Sequence, residues 1–193
     1  MIYAALLVFL ATVSWLAYSV FALGQTTIYA ENSVIENIQV LTLVMSAAVF
    51  LLGLKHPKRE GKLLLLFLSF LCLSFILREV DVEDFDLPSI LIAIGSGMGR
   101  NLILAAGFIS IGVYAAFNAA YYKKEVKAFF LSKAGLLILA AGVLLYIGDV
   151  FENLKTVQHH VFWEETIELS GYMAILLSSL MLLKDPNTES PEN

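Results

Sequence analysis

Six long apolar runs take up most of this chain of 193 residues. Hydrophobic residues make up 59% of it and charged residues only 15%, a composition typical of a polytopic membrane protein rather than a soluble domain. A chain in lipid must satisfy its own backbone hydrogen bonds, so each apolar run predicts a helix. We therefore predict an all-α bundle of six transmembrane helices, over residues 2–23, 34–54, 63–82, 98–122, 128–149 and 164–183.

Basic residues concentrate in two short connections and predict the orientation of the bundle. Residues 55–62 contain four Lys/Arg, and residues 121–127 contain three. Short connections rich in Lys and Arg stay on the cytoplasmic side of a membrane. Six spans then place both termini in the cytoplasm of an inner-membrane protein, with residues 185–193 as a disordered tail. The lipid bilayer is the expected partner, and the net charge of −5 argues against nucleic acid.

Carboxylates are segregated to the other side of the membrane. In this topology twelve of the seventeen Asp/Glu lie outside, with only three Lys/Arg beside them. The apolar run Leu63–Leu77 covers about 22 Å as a helix, so Arg78 and Glu79 are expected below the outer headgroups. Ionisable groups at that depth are costly and tend to face the bundle interior, where they serve function.

The spacing of the outer carboxylates favours a divalent metal site. Glu165 and Glu168 are three residues apart, as are Asp149 and Glu152, so each pair shares one helical face. Two histidines lie between these pairs, and mixed carboxylate and imidazole ligands suit a divalent ion of unspecified identity. The histidine pair also fits a solvated turn. The predicted metal ligands are Glu36, Glu79, Asp149, Glu152, His159, His160, Glu165 and Glu168.

Two arginines on the outer side allow two interpretations. Arg78 and Arg100 could neutralise neighbouring carboxylates and orient helices, or their planar guanidinium groups could bind a phosphate or carboxylate. The candidates for catalysis are accordingly Glu79, Glu168, Arg78 and Arg100.

Two local patterns predict where helices start and break. Ser33 and Glu36 fit the capping-box pattern S-x-x-E at the start of the second span. The sequence GSGMGR over residues 95–100 predicts a break, because one helix over residues 87–122 would be about 54 Å long. Residues 88–94 would then form a short interfacial piece over the outer mouth.

These patterns favour a polar site confined to the outer mouth of the bundle. The first hypothesis is a site that binds a divalent cation, in a small metal-dependent hydrolase that acts on a lipid or other headgroup. A cation-binding, transport or sensor module is the alternative, and a non-catalytic subunit of an oligomer or membrane complex is a third. Continuous transport is the less favoured of these, since the cytoplasmic halves of the spans contain almost no ionisable groups.

Overall fold

The structure, a computed structural model, describes residues 1–30, 33–56, 61–80, 82–86 and 88–184. Within these ranges the chain is helical and contains no strand. Part of the first basic connection (57–60) and the predicted cytoplasmic tail (185–193) lie outside the described residues. The all-α fold class is confirmed.

The described part of the chain contains eight α-helices. Short 3-10 turns over Thr26–Tyr29 and Val82–Asp84 precede α2 and α4. The helices are α1 (Ile2–Phe21), α2 (Val34–Leu54), α3 (Lys62–Glu79), α4 (Ser89–Gly95), α5 (Gly97–Phe117), α6 (Ala119–Leu131), α7 (Lys133–Glu152) and α8 (His160–Lys184).

Five of these helices, α1, α2, α5, α7 and α8, are long and apolar enough to cross a membrane. Helix α3 has 18 residues, about 27 Å, but carries Lys62, Arg78 and Glu79 at its ends. A multi-pass membrane protein is therefore supported. The sixth crossing and the sides on which the termini lie stay predictions.

Helix α8 is the central element of the bundle. It packs along α7 and α2, and α3 packs along α2. Tyr172, Ile175 and Leu182 of α8 are buried in one apolar core with Leu43 of α2 and Cys72 of α3. A smaller core joins the end of α1 to α2 and the first turns of α8. The carboxylates of α8 are thus placed where three other helices meet it.

Large apolar side chains cover the outside of the bundle. Helix α5 has no buried residue, and Leu102, Ile109 and Phe117 are more than half exposed. Apolar side chains around the whole circumference of a helix are expected where lipid is the solvent.

A glycine-rich break separates α4 from α5, as the GSGMGR pattern predicts. Gly97 has a φ of +50°, which a residue without Cβ adopts at no steric cost. A Cβ on Gly99 would lie 1.7 Å from the carbonyl oxygen of Ala93, so only glycine allows this close turn. The short helix α4 therefore folds back beside the start of α5.

Several helix ends differ from the sequence-based expectations. Residues 121–127 form part of a separate helix, α6, rather than a loop, and the next helix begins at Lys133 instead of residue 128. Ser33 is the N-cap residue of α2, but within the described residues its side chain makes no capping bond and donates to the Ile28 carbonyl instead. The capping-box prediction was wrong in this respect.

Candidate functional site

An ion pair between α3 and α8 forms the centre of the polar site. Arg78, in the last turn of α3, donates from Nη2 to both carboxylate oxygens of Glu168. The Glu168 side chain is 3% exposed, whereas that of Arg78 is 49% exposed. Hydrogen bonds between charged groups are stronger than those between neutral groups. A carboxylate buried this deeply would destabilise the fold without such a partner.

Close packing with α7 holds Glu168 in this position. A Cβ added to Gly148 of α7 would lie 2.6 Å from Cγ of Glu168. The absence of a side chain at Gly148 therefore makes room for the glutamate between the helices.

Arg78 also joins the second carboxylate of α3 to the network. Its Nε lies 3.2 Å from Oε1 of Glu79, and the hydroxyl of Tyr172 donates to the same oxygen at 2.6 Å. The Glu79 side chain is only 7% exposed. The end of α3 is thus tied to α8 through two glutamates, one arginine and one tyrosine.

A buried amide links α2 to α8 beside this network. Gln39 is fully buried, and its Nε2 donates to Oε2 of Glu165 at 2.8 Å and to the Glu165 backbone carbonyl at 3.0 Å. Its Oε1 is also buried and finds no hydrogen-bond donor in the described part of the chain. A buried acceptor without a donor costs free energy, so this oxygen calls for a positively polarised partner.

Two further carboxylates, from α2 and α3, lie close enough to interact electrostatically with Glu165. Glu36 lies one turn before Gln39 on α2, and its negative charge repels those of Glu79 and Glu165. The charges of Glu79 and Glu165 also repel each other. We call Glu36, Gln39, Glu79 and Glu165 the acidic pocket.

The remaining predicted carboxylates lie at the rim. Asp149 and Glu152, at the end of α7, are exposed. Their negative charges repel that of half-buried Glu164 in the second turn of α8, and Glu152 also repels Glu168. They add negative potential around the polar site.

The predicted histidine ligands lie at the start of α8. His159 has its Nδ1 3.0 Å from the Tyr29 hydroxyl and packs edge-on against the rings of Tyr29 and Phe21. His160 is the first residue of α8. These contacts direct His159 toward the aromatic residues near the end of α1. Ligation by either histidine stays a prediction.

As the described side chains stand, no group of three or more His, Cys, Asp or Glu residues is arranged to hold a metal ion. The described side chains therefore do not support the predicted metal site.

Arg100, the other candidate for ligand binding, donates from Nη1 to the Leu77 carbonyl at 2.7 Å. This bond satisfies one carbonyl in the last turn of α3.

Comparisons with protein-family models, curated proteins and solved structures found no match for this chain.

Sequence reasoning missed two residues of the network, Gln39 and Tyr172. Gln39 follows Glu36 by three residues and interrupts an apolar helix. Tyr172 follows Glu168 by four residues and Glu165 by seven, the spacing of one helical face. Searching for polar residues at helical spacing from each glutamate would have found both.

Proposed function

We propose that this protein is a multi-pass inner-membrane protein that binds a divalent cation in the acidic pocket, at the extracytoplasmic end of its bundle. The observation that carries the proposal is the buried Oε1 of Gln39, which finds no donor among the described residues and belongs to the amide that binds Glu165. A cation would satisfy this oxygen and offset the repulsion between the carboxylates at the same time.

The ligand chemistry supports a hard divalent ion. Glu36, Glu79 and Glu165 offer carboxylate oxygens, and Gln39 offers an amide oxygen, the set that Ca²⁺ and Mg²⁺ prefer. The rotatable side chains of glutamate would let these carboxylates close around an ion. The proposed ligand set differs from the sequence-based one, since both carboxylate oxygens of Glu168 accept from Arg78, whereas Arg78 and Tyr172 contact only Oε1 of Glu79. A catalytic role of the ion in hydrolysis stays a prediction.

Substitution of Glu165 tests this proposal. Glu165→Gln keeps the shape and the bond from Gln39 but removes one charge from the acidic pocket. We expect wild-type protein to be stabilised against thermal unfolding by Ca²⁺, Mg²⁺ or Mn²⁺, by about 2.7 kcal/mol at a hundredfold excess over Kd. The variant should bind the ion at least tenfold more weakly, measured by thermal shift and by the metal content of purified protein.

Glu152→Gln is the matched control, because it removes the same charge from the exposed rim. It should respond to the ion nearly as the wild type does. Absence of stabilisation by any of the three ions, or equal losses in the two variants, would contradict the proposal and favour a packing subunit.

We propose the membrane orientation from charge alone. Tags inserted after Lys58 and at the C-terminus should both report cytoplasm, and a tag beside Glu83 should report the outer side. Accessibility labelling in intact cells measures each position. A 55–62 connection found outside would reverse the placement of the acidic pocket.

A further inference from the structure

A polar cavity lies beside the end of α3. It has a volume of about 280 Å³ and is bounded by α3, the 3-10 turn that follows it and the break between α4 and α5. Its polar lining residues are Arg78, Glu83, Ser96 and Arg100. Two arginines and one glutamate thus line one small space.

The two arginines point to an oxyanion. Arg78 is half exposed although it pairs with Glu168, and Arg100 is held in place by its bond to the Leu77 carbonyl. Guanidinium groups recognise phosphate through parallel hydrogen bonds. Two of them lining one cavity supply donors from two helices.

The start of α5 adds further donors on the same side. The first N–H groups of a helix lack partners within the helix and carry partial positive charge. Ser96, the N-cap residue of the 21-residue α5, donates its hydroxyl to the Ile92 carbonyl and, in the described part of the chain, makes no capping bond. At Gly97, the first residue of α5, an added Cβ would meet no described atom within 4 Å, so the backbone is open there.

Glu83 restricts the kind of anion that fits. A second phosphate charge would be repelled by this carboxylate, whereas an ammonium group attached to the phosphate would be attracted by it. The lining therefore complements a group with a negative and a positive end.

We propose that this cavity binds a phosphoethanolamine group, with the phosphate on Arg78, Arg100 and the start of α5 and the ammonium on Glu83. The group could come from the headgroup of phosphatidylethanolamine or from free phosphoethanolamine. The proposal does not require the cation proposed for the acidic pocket, although Arg78 also contacts Glu79 there.

Gly97 offers a matched pair of test variants. An added Cβ there meets no described atom within 4 Å, and Asp and Asn adopt positive φ more readily than other residues with a side chain. Gly97→Asp places a negative charge at the cavity, and Gly97→Asn places a neutral side chain of the same shape there. Arg100→Gln is a second probe, because it removes one of the two guanidinium groups from the cavity lining.

The full-length protein in detergent micelles is titrated with free phosphoethanolamine, and lipid retention is measured by native mass spectrometry in micelles containing phosphatidylethanolamine or phosphatidylglycerol. We expect the wild type to bind, Arg100→Gln to bind at least tenfold more weakly, and Gly97→Asp to bind at least tenfold more weakly than Gly97→Asn. Binding of free phosphoethanolamine identifies a soluble ligand, and retention of phosphatidylethanolamine alone identifies the lipid. No binding from either source, equal retention of both lipids, or equal losses in the two Gly97 variants overturns the proposal.

Discussion

Replacing Arg78 with glutamine is expected to destabilise the folded protein by about 3–5 kcal/mol, since it leaves the buried carboxylate of Glu168 without its cation. The loss of stability should exceed the loss caused by removing an exposed charge, because Arg78 also contacts Glu79. Equilibrium unfolding in mixed micelles measures the effect. Lys155→Gln, at an exposed position between α7 and α8, is the control and should change the free energy of unfolding by less than about 0.5 kcal/mol.

A double-mutant cycle separates the ion pair from general damage. Glu168→Gln should cost less than Arg78→Gln, because Arg78 keeps Glu79 and its access to solvent. The double variant should be more stable than the sum of the single losses predicts, by about 0.5–3 kcal/mol. Strictly additive losses would show that the two side chains do not interact in the folded protein.

Gly148→Ala is expected to destabilise the protein by about 1–3 kcal/mol, the usual cost of adding a methyl group to a filled core. The added Cβ would lie 2.6 Å from Cγ of Glu168, so the glutamate or α7 must shift. The same measurement of unfolding in mixed micelles applies. A shift of Glu168 would also weaken its bond to Arg78.

Gly142→Ala on the same helix is the matched control for this change. A Cβ there meets no described atom within 4 Å, and alanine favours helix over glycine by about 1 kcal/mol. This variant should therefore be neutral or slightly more stable. In a Glu168→Ala background, the cost of Gly148→Ala should largely disappear. Equal effects at the two glycines would contradict the close packing of α7 on Glu168.

The sequence predicted the existence of the helices better than their ends. Apolar runs in lipid have few alternatives to a helix, so α1, α2 and α7 follow from composition alone. The start of α8 at His160 did not follow, because residues 160–168 are as polar as a loop and become helical through packing on α1 and α2. Glu164 and Glu165 therefore lie beyond the first turn of α8, where no charge is stabilised by the helix start.

The spacing of the glutamates along the chain predicted which of them share a helical face, but not which side chains they bind. Helical periodicity placed Glu165 and Glu168 on one face, which the structure bears out by turning both toward α2 and α3. Which carboxylate pairs with Arg78 depends on the rotation of α3 and α8 about their axes, which packing sets. Gln39 was not predicted from the sequence, because a single amide carries no charge and belongs to no motif. Its burial is nevertheless the reason it is included in the proposed ligand set.

The most direct test of cation binding is an experimental map of the protein crystallised with Mn²⁺ and measured at the manganese absorption edge. We predict an anomalous peak in the acidic pocket, in contact with the Oε1 of Gln39 and with carboxylate oxygens of Glu36, Glu79 and Glu165. We also expect this peak to be lost in Glu165→Gln crystals. A map without a peak in the pocket, or with a peak only at the exposed carboxylates of Asp149 and Glu152, would contradict this prediction.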